Sequence, residues 1–118
     1  MDNFSNLYRE SDIFILPSLE EGFSFPGLEA MASGCVVIST KNGGSDQYIT
    51  DGFNGLLVER GDVKAMANAV LKLVDDPVTL RSLITNAQKV VWEYTYEKSA
   101  QRFINILKEI CCVEQILK

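Results

Sequence analysis

Histidine is absent from the 118 residues of the chain, which removes the side chain that binds metals most often in proteins. Three cysteines remain, at positions 35, 111 and 112, and none of them has the spacing of a zinc-ligand pair. The odd number of thiols argues against a disulfide framework, so reduced thiols in a cytoplasmic setting are the simplest interpretation. The sequence therefore predicts no zinc site.

Basic residues and long apolar runs are also scarce. Lys and Arg number 11 against 16 acidic residues, which gives a net charge of -5. Because neutralising nucleic-acid phosphates needs clustered Lys and Arg, this balance argues against a nucleic-acid partner. One small anionic ligand stays possible, since a helix N-terminus binds an anion without basic side chains. No apolar run approaches the ~20 residues that a membrane span requires.

The residues that are present suit a small α/β domain. Apolar residues make up 47% of the chain, enough for a packed core. Three short apolar runs without alternation predict strands buried on both faces, as in a parallel sheet. These runs are residues 13–16, 35–40 and 55–58.

A helix is expected between the first two strands. Pro26 is typical of a first helical residue and Gly34 of a C-terminal stop. Leu28, Met31 and Ala32 share the face that is expected to pack on the sheet.

Further helix signals follow the second and third strands. Ser45 is expected to cap a short helix and Asp62 a longer one. The Asp-Asp-Pro segment at 75–77 ends that helix and begins another, and a last helix is expected from Tyr96. The alternation of strands and helices predicts parallel strands joined by right-handed crossovers.

The predicted fold class is therefore α/β, a partial doubly wound (Rossmann-like) parallel sheet of about three strands with C-terminal helices. The first strand has the character of a central strand, yet only about eleven residues precede it. We therefore expect the second half of a larger domain, with an α/β part at 1–75 and C-terminal helices at 76–118. The uncovered edge of the strand at 12–16 is expected to lead to self-association.

The segment PSLEEGFSFPGLEAMASG, residues 17–34, begins at the carboxyl end of the first strand, where open parallel sheets bind ligands. Gly22 and Gly27 allow the backbone to approach a ligand closely. The amides near Gly27 and Leu28 open a helix whose positive end is expected to face a phosphate. Glu29, about 100° around the helix from Leu28, is expected to point into the same cleft and to accept hydrogen bonds from a ribose diol.

The glutamates of this segment also have an ordinary structural interpretation. A Glu in the first turn of a helix is favourable by about 0.3–1 kcal/mol without any ligand. Glu20 is assigned to a solvated turn, and Glu21 lies where it can reach a different hydroxyl of the ligand. Spacing alone leaves the ligand role and the structural role of Glu21 and Glu29 equally open.

Residues 21–23 (EGF) are followed by residues 29–32 (EAMA), so that seven residues lie between two glutamates. This pattern resembles the E-x7-E motif of the retaining GT-B-fold glycosyltransferases of family 4, the "glycosyl transferases group 1". The resemblance covers about residues 8–75 with correct order and spacing. The further matching segments are 11–14, 17–18, 34–38, 43–44, 48–52, 54–58 and 61–62.

The resemblance implies a role for each residue of the motif. It implies that Glu21 is the catalytic residue, next to the transferred sugar, and that Glu29 holds the ribose hydroxyls. Backbone amides between them are implied to contact the donor sugar and the diphosphate, which maps to Gly22, Phe23, Ser24, Gly27 and Leu28. The implied reaction is hexosyl transfer from a nucleotide-diphosphate sugar with retention, without a metal or other cofactor.

The chain departs from the family pattern at three places. Val36 stands where the family usually has Pro, and Gln47 stands where a Glu commonly follows the glycine pair. The position of Gln47 favours a role in local hydrogen bonding over a role in catalysis. The acceptor-binding domain and the basic first half of the nucleotide-binding domain have no counterpart in the chain.

The chain is therefore expected to supply one wall of a donor site and to be inactive alone, needing an N-terminal domain or a partner chain. The acceptor (glycan, lipid or small molecule), the base and the sugar stay unassigned. The expected location is cytoplasmic, or peripheral at the inner membrane surface in a full-length enzyme.

Two other functions compete with this interpretation. The first is a non-catalytic nucleotide-sugar-binding or partner subunit of a two-chain glycosyltransferase. The second is a receiver-like signalling module, which is weaker because Asp12 lies at the wrong end of its strand for a phosphoacceptor.

Overall fold

Three parallel strands form the sheet of the computed structural model, which describes residues 2–111. Strand β1 spans Ile13–Leu16, β2 spans Val36–Thr40 and β3 spans Leu56–Val58, in the order β1-β2-β3. All neighbours are parallel, with Ile13 opposite Val36 and Ile38 opposite Leu56. The predicted α/β class and the three strands are confirmed, and β1 lies at an edge of this sheet.

Helices connect and follow the strands in the predicted order, and one more helix precedes them. Within the described residues they are α1 (Asp2–Glu10), α2 (Phe25–Ala32), α3 (Val63–Val74), α4 (Pro77–Val91) and α5 (Tyr96–Cys111), with 3-10 turns at Ser45–Gln47 and Trp92–Tyr94. The predicted division of the domain at residue 75 falls between α3 and α4 and stays a prediction. Residues 112–118 of the predicted C-terminal helices, with Cys112, lie outside the described residues.

Strand β2 carries the core on both of its faces. Val37 packs with Met31 of α2 on one face, and Val36 and Ile38 pack with Leu73 of α3 on the other. All three β2 residues are fully buried, as the unalternating apolar run predicts. Strand β1 is less covered, because it has a neighbour on one side only within the described chain.

Helix α2 corrects two sequence predictions. It begins at Phe25, so Glu29 is its fifth residue and no acidic residue lies in its first turn. The reason is Ser24, which adopts a left-handed conformation and starts the helix one residue before Pro26. Leu28 and Met31 are buried as predicted, but Ala32 is exposed because it lies beyond the buried arc of the helix.

Of the two predicted helix caps, Asp62 is confirmed and Ser45 is wrong. Asp62 caps α3 as predicted, accepting from the backbone nitrogen of Ala65 at 2.9 Å. Ser45 does not act as a cap; it is the first residue of its 3-10 turn. Asn42 replaces it, because its Oδ1 accepts from the nitrogens of Gly44 (2.9 Å) and Ser45 (2.8 Å).

No helix within residues 2–111 is long and apolar enough to cross a membrane.

Asp76 caps α4 and gives the fold a pH-dependent contribution. Its carboxylate accepts from the Thr79 hydroxyl at 2.5 Å and from the Thr79 nitrogen at 3.1 Å. These hydrogen bonds, the side-chain one first, lower the pKa of Asp76 below its ordinary value of 3.8. Because the folded pKa is the lower one, the stabilisation is present above the unfolded pKa and is lost as the pH falls through the folded pKa.

We expect Asp76→Ala to lower Tm near neutral pH and the difference from the parent to shrink as the pH falls below 3.8, measured by thermal unfolding. Asp75→Ala is the matched control, because the Asp75 side chain makes no hydrogen bond within residues 2–111. An equal loss from both substitutions, or a loss independent of pH, contradicts the assignment.

Candidate functional site

The β1–α2 loop, residues 17–24, brings backbone donors to the carboxyl end of the sheet. Ser24 has φ 68° and ψ 63°, which is uncommon for a residue other than glycine, and turns the chain into α2. The amides of Gly22, Phe23 and Ser24 donate to no acceptor within residues 2–111. Consecutive unpaired amides next to a left-handed residue and a helix N-terminus are typical of an anion site.

The Ser24 hydroxyl adds a further unpaired group. Ser24 is 4% exposed, and its Oγ has no hydrogen-bond partner in the described part of the chain. Its carbonyl accepts from the Tyr48 hydroxyl at 2.7 Å and from the Gly27 nitrogen at 3.2 Å. A buried hydroxyl without a partner costs free energy. The hydrogen bonds of the Ser24 carbonyl hold the residue in this position, and its hydroxyl stays available to a ligand.

Gly27 and Leu28 have packing roles in this structure. A Cβ at Gly27 would overlap the Tyr48 hydroxyl, so only glycine allows the two to approach so closely. Leu28 is 7% exposed and belongs to the core on the α2 face of the sheet. The donor contacts predicted for these two residues stay predictions.

Glu21 is half-buried and fixed at three points. Its Oε1 accepts from the Ser18 hydroxyl at 2.7 Å, and its backbone nitrogen donates to the Asn42 carbonyl at 3.0 Å. Its Cβ packs against Gly44, where an added Cβ would lie 2.9 Å away. The second carboxylate oxygen makes no hydrogen bond within residues 2–111, so it is available to a ligand.

Glu29 is exposed and is held from helix α1. Its Oε2 accepts from the Tyr8 hydroxyl at 3.3 Å. Burial first, and then the Glu29 charge, raise the pKa of Tyr8 above its ordinary value of 10.0, so the phenol keeps the proton that it donates to Glu29 to a higher pH than a free tyrosine does. Glu20, the predicted solvated neighbour, is exposed and makes no side-chain hydrogen bond in the described chain.

Two cavities of the described chain are lined by residues other than Glu21 and Glu29. One of about 390 Å³ is lined by Ala32, Gln88, Val91, Trp92 and Thr95. The other, of about 160 Å³, is lined by Pro17, Leu19, Thr40, Gly61, Asp62, Val63 and Met66. The predicted donor residues line neither cavity. Gly22 and Glu29 are exposed on the surface, whereas Ser24 and Leu28 are buried.

Sequence reasoning missed the residues that hold the glutamates and the loop. They are Tyr8, Ser18, Asn42 and Tyr48. Ser18 contacts Glu21 within the same loop, whereas Tyr8, Asn42 and Tyr48 contact that loop or α2 from other segments. Asn42 had a local signal, since an Asn directly before a glycine pair is typical of a side-chain-capped turn. The contact of Tyr8 with Glu29 has no local signal, because 21 residues separate them.

The fold of the chain has counterparts among solved structures. The C-terminal domain of a group 1 glycosyl transferase from Francisella tularensis superposes with a TM-score of 0.70 and 38% identity, covering 75% of this chain and 45% of that one. The model of the family "Glycosyl transferases group 1" matches residues 1–90. The chain belongs to that family, and its fold is that of part of a GT-B C-terminal domain, as the resemblance implied.

Curated relatives agree with this membership. A D-inositol 3-phosphate glycosyltransferase of Corynebacterium kroppenstedtii is 31% identical over 108 residues, covering 92% of this chain and 24% of the relative. The UDP-Gal:alpha-D-GlcNAc-diphosphoundecaprenol alpha-1,3-galactosyltransferase of Escherichia coli is 34% identical over 77 residues, covering 65% and 20% respectively. The chain spans from 20% to 31% of the length of these and other such relatives.

Gly27→Ala is expected to destabilise the chain by about 1–3 kcal/mol, the usual cost of overpacking. The cause is the Tyr48 hydroxyl, so the cost should fall in a Tyr48→Phe background, where the nearest ring atom, Cζ, lies 3.2 Å from the new Cβ. Urea unfolding of the parent, both single variants and the double variant measures the coupling. Equal costs of Gly27→Ala in the two backgrounds contradict this contact.

Proposed function

We propose that the chain forms the donor-binding wall of a retaining glycosyltransferase that transfers a sugar from a nucleotide-diphosphate sugar to an acceptor. One observation carries the proposal: within the described residues, three consecutive unpaired amides, those of residues 22–24, lie between Glu21 and Glu29. Both carboxylates are held by hydrogen bonds, Glu21 from Ser18 and Glu29 from Tyr8. Family membership supports the reaction class.

Each group has a distinct task in the proposed site. The amides bind the diphosphate and stabilise the negative charge that grows on it as the bond to the sugar breaks. Glu29 accepts from the ribose hydroxyls through the oxygen that Tyr8 does not occupy. Glu21 contacts the sugar next to the transferred centre, where its contact is strongest in the transition state. No metal is assigned to any of these steps.

The nucleotide to test first is a uridine diphosphate. The Escherichia coli relative is named for UDP-Gal, and that name supports this choice without assigning the sugar or the acceptor. GDP and ADP serve as the competing nucleotides.

The rest of the site must come from other residues, because this wall is open and the described residues place no Lys or Arg in hydrogen-bond contact with the β1–α2 loop. We propose that an upstream half domain or a partner chain supplies them and that residues 1–118 alone do not catalyse transfer. The same openness favours the alternative, a non-catalytic nucleotide-sugar-binding or partner subunit of a two-chain enzyme.

Such a partner is expected to pair with β1. Ile15 of this strand is 45% exposed, and β1 has no neighbour on its outer edge within residues 2–111. An uncovered strand edge is a template for pairing, so the isolated chain should associate at micromolar concentration. Sedimentation equilibrium is expected to show Ile15→Lys as monomeric and the control Leu7→Lys, exposed on α1, unchanged. A monomeric parent contradicts the open edge.

Measurements of nucleotide binding distinguish the roles of the three glutamates, Glu20, Glu21 and Glu29. Glu29→Ala removes charge-assisted hydrogen bonds worth roughly 1.5–3 kcal/mol, so UDP affinity should fall by roughly ten- to a hundredfold. Glu21→Ala should leave UDP affinity nearly unchanged, because Glu21 is assigned to the sugar. Glu20→Ala is the matched control and should bind like the parent. Amide shifts of residues 22–24 during NMR titration of the chain with UDP measure these affinities.

Catalysis distinguishes the two assigned glutamates a second way. In a catalytically complete polypeptide that carries these residues, Glu21→Ala should lower kcat while UDP inhibition is retained. If Glu29→Ala binds UDP like the parent, the ribose assignment is wrong. If the parent chain shows no UDP-dependent shifts at residues 22–24, the donor wall itself is misassigned.

A further inference from the structure

Gln47 connects the two loops that follow β1 and β2. Its side-chain nitrogen Nε2 donates to the carbonyl of Gly43 at 2.9 Å and to the carbonyl of Gly22 at 3.2 Å. The first acceptor belongs to its own loop and the second to the β1–α2 loop. Both acceptors are carbonyl oxygens, so this contact needs a side chain that donates two hydrogen bonds, which an amide does and a carboxylate does not.

The turn that carries Gln47 is fixed independently of this contact. The Asn42 side chain accepts from two amides of the turn, and Asp46 Oδ1 accepts from the nitrogens of Asn42 (2.9 Å) and Gly43 (3.1 Å). The Gln47 carbonyl accepts from the Tyr94 hydroxyl at 3.3 Å. Gln47 therefore projects from an ordered turn toward the β1–α2 loop.

Gly22 is the residue of that loop that Gln47 contacts. A Cβ built at Gly22 meets no atom within 4 Å, and glycine tolerates backbone conformations that other residues avoid. Within residues 2–111 its carbonyl is held by Gln47 alone. The Glu21 nitrogen on one side is bound by Asn42. The Phe23 ring on the other side packs against Tyr48 and Tyr94. Gln47 therefore fixes the orientation of the Gly22–Phe23 peptide plane between two held residues.

The planarity of that peptide converts the Gln47 contact into an orientation of the adjacent donor. In a trans peptide the carbonyl of one residue and the N–H of the next point in opposite directions. A Gly22 carbonyl that points at Gln47 therefore directs the Phe23 N–H away from the turn, toward the open face of the loop. Phe23 N–H is one of the three unpaired amides of the proposed donor site.

We propose that Gln47 is a positioning residue that sets the direction of the Phe23 amide, and thereby the diphosphate contact of the proposed donor site. This inference rests on the proposed function for its ligand, but the orientation itself is a property of the free chain. Gln47 touches neither sugar nor nucleotide in this assignment; it acts through the Gly22–Phe23 peptide.

The test uses the chain itself and three single variants. Gln47→Met keeps the length of the side chain and removes its donors, and Gln47→Glu replaces the donor with an acceptor that faces two carbonyls. Gln88→Met is the matched control, because Gln88 is an exposed glutamine whose side chain makes no hydrogen bond within the described residues. Residual dipolar couplings of backbone amides report the direction of each N–H bond, and NMR titration with UDP reports affinity.

In both Gln47 variants the Phe23 coupling is expected to change while the couplings of β2 and α2 stay as in the parent. The dissociation constant for UDP should rise by about two- to tenfold in Gln47→Met, the loss expected for one neutral hydrogen bond. Gln88→Met should match the parent in both measurements. Unchanged couplings of β2 and α2 separate a local reorientation from a general loss of folding, and Gln47→Met decides the matter if Gln47→Glu does not fold.

The outcomes separate this inference from the proposed function. A Phe23 coupling that is the same in parent and Gln47→Met overturns the positioning role, even if UDP binds. A changed Phe23 coupling with no UDP binding by the parent supports the orientation by Gln47 and overturns the donor site instead. A changed coupling with UDP affinity equal to that of the parent overturns the link between Gln47 and the diphosphate.

Discussion

The close packing of the loops after β1 and β2 is the constraint on which the candidate site depends. A Cβ at Gly44 would lie 2.9 Å from the Glu21 Cβ and 3.0 Å from the Phe23 carbonyl carbon, so a larger residue would push the loops apart. Parallel strands place their carboxyl ends side by side, which brings these loops together. The missing side chain at Gly44 then lets the backbone of one loop rest on the other, and it places Glu21 within hydrogen-bond distance of Asn42.

Two unfavourable features coincide at Ser24. A left-handed conformation costs a non-glycine residue about 1–2 kcal/mol, and an unpaired buried hydroxyl costs about 1–3 kcal/mol. For a small domain with a total stability of about 5–15 kcal/mol, these costs are large. They persist because the Ser24 carbonyl is bound by Tyr48 and Gly27, which fix the backbone. Strain of this kind concentrates at ligand sites, and here it lies between the two glutamates of the motif.

The sequence predicted what local patterns determine. The apolar run without alternation at 35–40 predicted a strand buried on both faces, and Asp62 predicted a helix cap. Both features leave a signal in adjacent residues of the sequence. The position of Glu29 in its helix was predicted wrongly, since Pro26 suggests a helix start but does not reveal the left-handed Ser24 before it. Local patterns do not predict contacts such as that of Tyr8 with Glu29, because these depend on how α1 and α2 pack in three dimensions.

Electrostatics explains why the proposed donor site would need a covering domain in addition to this chain. The chain carries a net charge of -5, and in the proposed site the β1–α2 loop would bind a diphosphate with backbone amides rather than with Lys or Arg. An amide that faces water exchanges one hydrogen bond for another, so its net contribution to binding is small. The same amides contribute more once a covering wall excludes water, because the local dielectric constant falls and the interaction with the phosphate charge is screened less. A covering domain would therefore strengthen the contacts of Gly22, Phe23 and Ser24 without adding any contact of its own.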